Sequence, residues 1–157
     1  MAMTVRIADE RDLERVNELR RQVNDLHVEG RPDVFKPGFN EELKNYVYTV
    51  YNDPCKDIAV AEKDGVICGY AVLNRFTKPE TPFMYERSYV DVDEFGVDKA
   101  FRRQGIGRAL MEYIRTYAKD NGFDRIELNM WEFNEGALRF YEDIGFGTYR
   151  RYMEMDV

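Results

Sequence analysis

Histidine and cysteine are nearly absent from this sequence: His27 is the only histidine, and Cys55 and Cys68 are the only cysteines, in 157 residues. A structural zinc site takes about four nitrogen or sulfur ligands, so three scattered candidates argue against a metal. They argue equally against a hydrolase of the Ser-His-Asp or Cys-His type, in which His27 would have to be the base. The cysteines form no CxxC pair and read as free thiols. Long apolar runs are missing too. None approaches the roughly 20 residues that cross a bilayer, and the opening Met-Ala-Met-Thr-Val-Arg lacks the apolar stretch of a secretory signal. No membrane partner is expected, and the expected compartment is the cytoplasm. Positive charge is in deficit: 23 Lys and Arg against 30 Asp and Glu leave a net charge of -7. Such a surface repels phosphate backbones, so nucleic acid is not an expected partner. A cationic ligand such as an amine would be attracted. Repeats, low-complexity tracts and interdomain linkers are also lacking, and residues 1–157 read as one domain.

What is present is the balance of a chain that buries a core, 44% hydrophobic and 34% charged. Thr4 to Ala8 reads as a strand, and Asp9, with Asp12 three residues on, as the cap of a helix. That helix carries Leu13, Val16, Leu19, Val23 and Leu26 at helical spacing. A loop rich in proline and glycine, Glu29 to Gly38, leads to a second helix, Asn40 to Tyr51. Ile58 to Glu62 and Val66 to Arg75 flank the turn Lys63-Asp64-Gly65 as a hairpin. Tyr85 to Val97 reads as a long strand, Gly105 to Asn121 as an amphipathic helix, and Arg125 to Met130 as a strand. Asn134 opens a helix that runs to Ile144, and Phe146 to Met155 closes the chain as one or two strands. The order predicts an α/β fold: a mixed, mostly antiparallel central sheet with helices on both faces.

The most informative segment runs from Val97 to Arg108 and joins a strand to a helix. A helix N-terminus carries free N–H groups and positive partial charge, so acids are the usual neighbours there. This one has Arg102, Arg103 and Arg108, with Gly105 and Gly107 between them. Extra cations at a positive helix end are unfavourable unless an anion sits there, and glycines let backbone N–H groups approach it. The segment therefore reads as a pyrophosphate cradle, or else as a glycine turn with solvated arginines. It fits neither the GxxxxGK[ST] of a P-loop nor the GxGxxG of a dinucleotide fold.

The string Arg102-x-x-Gly105-x-Gly107 resembles the Q/R-x-x-G-x-G/A motif of the GNAT superfamily of N-acetyltransferases. Asn134-Glu-Gly-Ala-Leu-Arg-Phe-Tyr141-Glu-Asp-Ile-Gly-Phe146 is similar to the second cofactor motif of that superfamily, in the right order and at the usual spacing. The resemblance implies acetyl-CoA as cosubstrate, in a V-shaped gap between the strand ending at Val97 and the strand ending near Met130. It implies that the backbone of Phe95, Gly96 and Val97 pairs with the pantetheine arm. It implies that the backbone from Arg103 through Gln104, Gly105, Ile106 and Gly107 to Arg108 holds the pyrophosphate, with Arg102 at the first position of the motif. Arg103 and Arg108 either meet phosphates or face solvent. Asn134 either contacts the pantetheine or simply caps its helix. Tyr141 matches a tyrosine that protonates the departing thiolate, although Ala137, Leu138, Tyr141 and Ile144 share a face and it could be a core residue.

An attacking amine must be neutral, so a general base is expected. The candidates are Asp91, Asp93 and Glu94, with Asp91 and Glu94 ranked equal against a solvated acid cluster. Regular alternation separates Glu94 from the other two, and a bulge would upset that count. In some members of the superfamily an acid on the fifth strand serves instead, and that position is Asn129 here. The resemblance implies that the acceptor side falls on about 26–48, 83–89 and 148–152. The expected reaction is acetyl transfer from acetyl-CoA to a primary amine in a ternary complex. The alternatives are a non-catalytic acyl-CoA sensor or scaffold, and a nucleotide binder of another fold. The resemblance also allows a homodimer.

Overall fold

The computed structural model describes residues 2–157. Its elements are β1 (Met3–Ile7), α1 (Leu13–Gly30), α2 (Glu41–Tyr51), β2 (Lys56–Lys63), β3 (Val66–Lys78), β4 (Arg87–Val97), α3 (Ile106–Asp120), β5 (Ile126–Glu127) and α4 (Glu135–Asp143). The strands form one sheet in the order β1-β2-β3-β4-β5. The first four are antiparallel neighbours, and β5 runs parallel to β4. The mixed, mostly antiparallel α/β fold expected from the sequence is the fold observed.

Alternation along β2 and β3 divides the core in two. Ile58, Val60, Tyr70 and Val72 pack with Leu13, Val16, Leu19, Val47 and Val50 of α1 and α2. Ala59, Ala61, Ala71 and Leu73 pack on the opposite face with Ile106, Leu110, Met111 and Ile114 of α3. Small residues let α3 lie close to the sheet. A Cβ on Gly69 would stand 2.9 Å from both Ile106 and Leu110. The start of α1 is fixed by Asp12, whose carboxylate accepts the Asp9 N–H at 2.8 Å and the Arg6 guanidinium at 2.7 Å.

Two irregularities in β4 shape everything that follows. Val72 pairs with Glu94 but Leu73 pairs with Val92, so Asp93 is an extra residue, a bulge. The β4–β5 ladder then holds only Val90↔Ile126 and Asp91↔Glu127. Beyond Asp91 the two strands part.

The structure corrects the expected end of the chain. Residues 145–157 contain no strand, and 147–157 make no backbone-to-backbone hydrogen bond among the described residues. The β-forming sequence is there, but no strand of the same chain pairs with it. The expected fifth strand, Arg125 to Met130, is likewise cut to Ile126–Glu127, because β4 diverges from it.

Candidate active site

The turn before α3 is built as an anion cradle would be. Arg103 (φ 64°) and Gly105 (φ 80°) both take the left-handed conformation. Gly105 is the N-cap of α3, no side chain caps that end, and its first turn holds no acid. Ile106, Gly107 and Arg108 thus keep N–H groups without intrahelical acceptors. Arg102, Arg103 and Arg108 are exposed. None of the three has an acidic partner within the described residues, although the fold holds many ion pairs. The Gln104 side chain bonds Lys63 instead. Asp98 anchors the turn from below, accepting Ala100 N–H at 3.0 Å and the Arg15 guanidinium of α1 at 2.6 Å.

Next to the cradle lies the opening between β4 and the segment after β5. From Val92 to Val97 the outer edge of β4 lacks a strand partner. Phe95 turns its ring toward α4, with centroids 5.9 Å from Phe140 and 6.0 Å from Tyr141. Tyr141 also packs on Phe146 at 5.7 Å. Burial pushes its phenol up to about 12, so the group stays protonated at neutral pH. The Asn134 side chain accepts Ala137 N–H at 3.1 Å as the N-cap of α4. Gly107 faces α4 as well, and a Cβ there would stand 3.0 Å from Phe140. Gly96 is a packing requirement, since its Cβ would fall 2.8 Å from Tyr70 and Val23.

The bulge at Asp93 brings Asp91 and Glu94 to the same face, the one covered by α1 and α2. Their surroundings differ sharply. Glu94 accepts Arg20 Nε at 2.9 Å and the Tyr70 hydroxyl at 2.9 Å. Arg20 is buried and also donates to Asn17 and to the Leu43 carbonyl. Asp93 is exposed and accepts the Tyr46 hydroxyl at 2.8 Å. Asp91 is half-buried and makes no hydrogen bond or ion pair among the described residues. Burial, reinforced by Asp93 and Glu127 and opposed by Lys78, pushes its carboxyl up to about 6. Directly opposite it in β3 is Asn74, buried, with a side-chain oxygen that has no partner.

Sequence reasoning missed Arg20, Tyr70, Asn74 and Asp98. Arg20 had a signal: it falls four residues after Val16 and three before Val23, inside the apolar stripe of α1. A charge in such a stripe calls for a buried partner. His27 is a packing residue, its Nδ1 2.7 Å from the Val23 carbonyl and its ring 5.0 Å from Phe35.

Comparison with known proteins matches residues 14–146 to the model described as the Acetyltransferase (GNAT) family. Over 117 residues, 73% of this chain, the sequence is 32% identical to the N-alpha-acetyltransferase RimI of Mycobacterium tuberculosis. The match spans 63% of that relative's length, and matches to proteins of Methanocaldococcus jannaschii and Drosophila melanogaster span 27% and 26% of theirs. Among solved structures, a tetramutant of the BH1408 protein from Bacillus halodurans superposes with a TM-score of 0.94 at 30% identity, covering 98% of this chain and 99% of that one. The aminoglycoside N-acetyltransferase AAC(6')-Iy, solved with CoA, has the same fold at a TM-score of 0.78 and 16% identity, covering 99% of this chain and 95% of that one.

Proposed function

Because this chain belongs to the GNAT family of acetyltransferases, we propose that it transfers the acetyl group of acetyl-CoA to a primary amine within a ternary complex. One observation carries the reading: an uncapped helix end ringed by unpaired arginines opens beside a strand edge that has lost its neighbour. The first suits a diphosphate. The second suits an extended amide-bearing arm, which can add to Phe95, Gly96 and Val97 as a strand would. Asn134 serves as a cap in this reading, and Arg102, Arg103 and Arg108 supply the charge around the phosphates.

Asp91 and Tyr141 lie toward opposite faces of the split sheet, so a thioester in the opening has a base on one side and a donor on the other. Amine attack forms the N–C bond and breaks the C–S bond. The surplus proton of the amine goes to Asp91, directly or through water, and the sulfur leaves toward the Tyr141 hydroxyl. A thiol near 8.5 is a stronger acid than a phenol near 12. The role of Tyr141 is therefore to donate a hydrogen bond to the developing thiolate. Glu94 is held by Arg20 and Tyr70, which favours Asp91 as the base and gives Glu94 the task of fixing α1 to β4. Asp91 and Asp93, with Tyr46 beside them, favour a cationic acceptor. Two unpaired cysteines suit a reducing compartment, the cytoplasm. Exposed aromatic and methionine side chains at the C-terminal end favour a homodimer.

Calorimetric titration with acetyl-CoA, with ATP and NAD as controls, tests the reading, followed by thiol release against a panel of primary amines. Selective binding with turnover supports it. Binding with no turnover on any amine turns the protein into an acyl-CoA sensor. Folded, CoA-free protein that binds none of the three refutes the site.

A further inference from the structure

The sheet face that carries Asp91 changes sign along its length. Beside the bulge stand two acids, Asp91 and Asp93. Away from the bulge, β3 and β4 continue as a ladder in which Asn74 pairs with Asp91, Phe76 with Tyr89, and Lys78 with Arg87. Alternation keeps these pairs on one face. Glu127, which pairs with Asp91 from β5, shares that face, and so does Arg125 two residues before it. Three cations from three strands thus gather beyond the two acids, and one acid answers them. Glu127 takes Arg87 and, at 2.8 Å, Arg125. Lys78 is exposed and has no ion pair among the described residues. Glu80 and Glu86, the other acids of this hairpin, pair with none of the three.

The cations fold back toward the acids. The Lys78 ammonium lies 5.9 Å from the centre of the Tyr89 ring and the Arg87 guanidinium 5.4 Å from it, one rung from Asp91. Arg87 and Arg125 also share the Tyr149 ring. Phe76 leaves an open apolar surface beside them, 41% exposed. Like charges drawn together repel unless an anion joins them. In a chain of net charge -7, a surplus of two positive charges at one spot calls for such an anion.

Resting on the transferase reading above, we propose that the acceptor is a small amino acid that carries a carboxylate at a distance from its reacting amine. The ammonium end enters toward Asp91 and Asp93, and the carboxylate lies at Lys78, Arg87 and Arg125, with the chain between them on Phe76. One rung of the ladder, about 7 Å of extended strand, separates the two ends. An α-amine is too close to its own carboxylate to span this, whereas an amine at the far end of an unbranched chain reaches it. A polycation would set its second ammonium against Lys78.

Steady-state acetylation of three probes tests the class: 6-aminohexanoate, hexylamine and 1,6-diaminohexane. The wild type is expected to favour 6-aminohexanoate over the diamine by about tenfold in kcat/KM, with hexylamine between them. Lys78→Gln should lower that ratio about threefold and Lys78→Glu about tenfold. Lys78 is exposed and unpaired, so both variants should keep their circular dichroism. Any effect of the substitutions on Asp91 is common to the probes and cancels in the ratio. High salt should shrink the wild-type preference. A wild type that favours the diamine, or a ratio that neither variant moves, overturns the proposal. So does turnover of other primary amines but of none of these three. No turnover of any amine is a different result, the failure of the transferase reading itself.

Discussion

Replacing Asp91 by Asn is expected to stabilise the protein, and to do so only above the acid range. A carboxyl raised to about 6 in the folded chain titrates near 3.9 in the unfolded one. Between these values the folded state binds the extra proton, so stability falls as pH rises from about 4 to about 6 and stays reduced above that. The full gap of two units corresponds to about 3 kcal/mol. Asp91 is only half-buried, and solvent screening brings this to about 2 kcal/mol. Asn is nearly isosteric and carries no charge to desolvate. In a chain of this length, about 2 kcal/mol raises the melting temperature by roughly 4–8 °C. Differential scanning calorimetry of wild type and Asp91→Asn at pH 7.5 and at pH 4 measures it: the gap should be open at the first and nearly closed at the second. An Asp91→Asn protein no more stable at pH 7.5, or a gap that survives at pH 4, would refute the reasoning. The same variant should lose the acid limb of kcat/KM, whose midpoint near 6 in the wild type would report Asp91 as the base.

Arg20→Met leaves the part-buried Glu94 with only Tyr70, and loss of a charged partner there costs about 2–3 kcal/mol. Thermal unfolding should show a drop on the order of 10 °C, partly recovered by adding Glu94→Gln. Tyr141→Phe removes the donor beside the sulfur and should lower kcat by about 10² with acetyl-CoA affinity nearly unchanged. An unaltered kcat, with product release shown to be fast, removes Tyr141 from the chemistry. Gly107→Glu puts a side chain against Phe140 and a negative charge in the cradle. Calorimetry should find acetyl-CoA affinity abolished, and an unchanged affinity would mean that the phosphates lie elsewhere.

Legibility in the sequence followed the range of the interactions. The cradle is local: its glycines and arginines sit within seven consecutive residues, Arg102 to Arg108, and its geometry depends on backbone that those residues dictate. The two cores were legible because period 2 in β2 and β3 and period 3.6 in α1 and α3 are written along the chain. The different surroundings of Asp91 and Glu94 were not. They turn on one extra residue in β4, and on an arginine 74 positions away that holds one acid and leaves the other alone. The early end of β5 was hidden for a similar reason, since divergence from β4 is a property of the whole sheet. The closing strand expected at Phe146 to Met155 reflects real β-propensity, but propensity reports what a segment suits and not whether a neighbour exists.

The parted ladder beyond Asp91 also bears on how long the protein lasts. A sheet that stops hydrogen-bonding halfway along β4 is, on the proposed reading, one strand short until acyl-CoA arrives. A ligand that fills such a place adds to folding stability by mass action, by about 2.7 kcal/mol at a hundred times its dissociation constant. Proteolysis and heat act on the unfilled form first. The amount of protein that survives would then track the acyl-CoA supply.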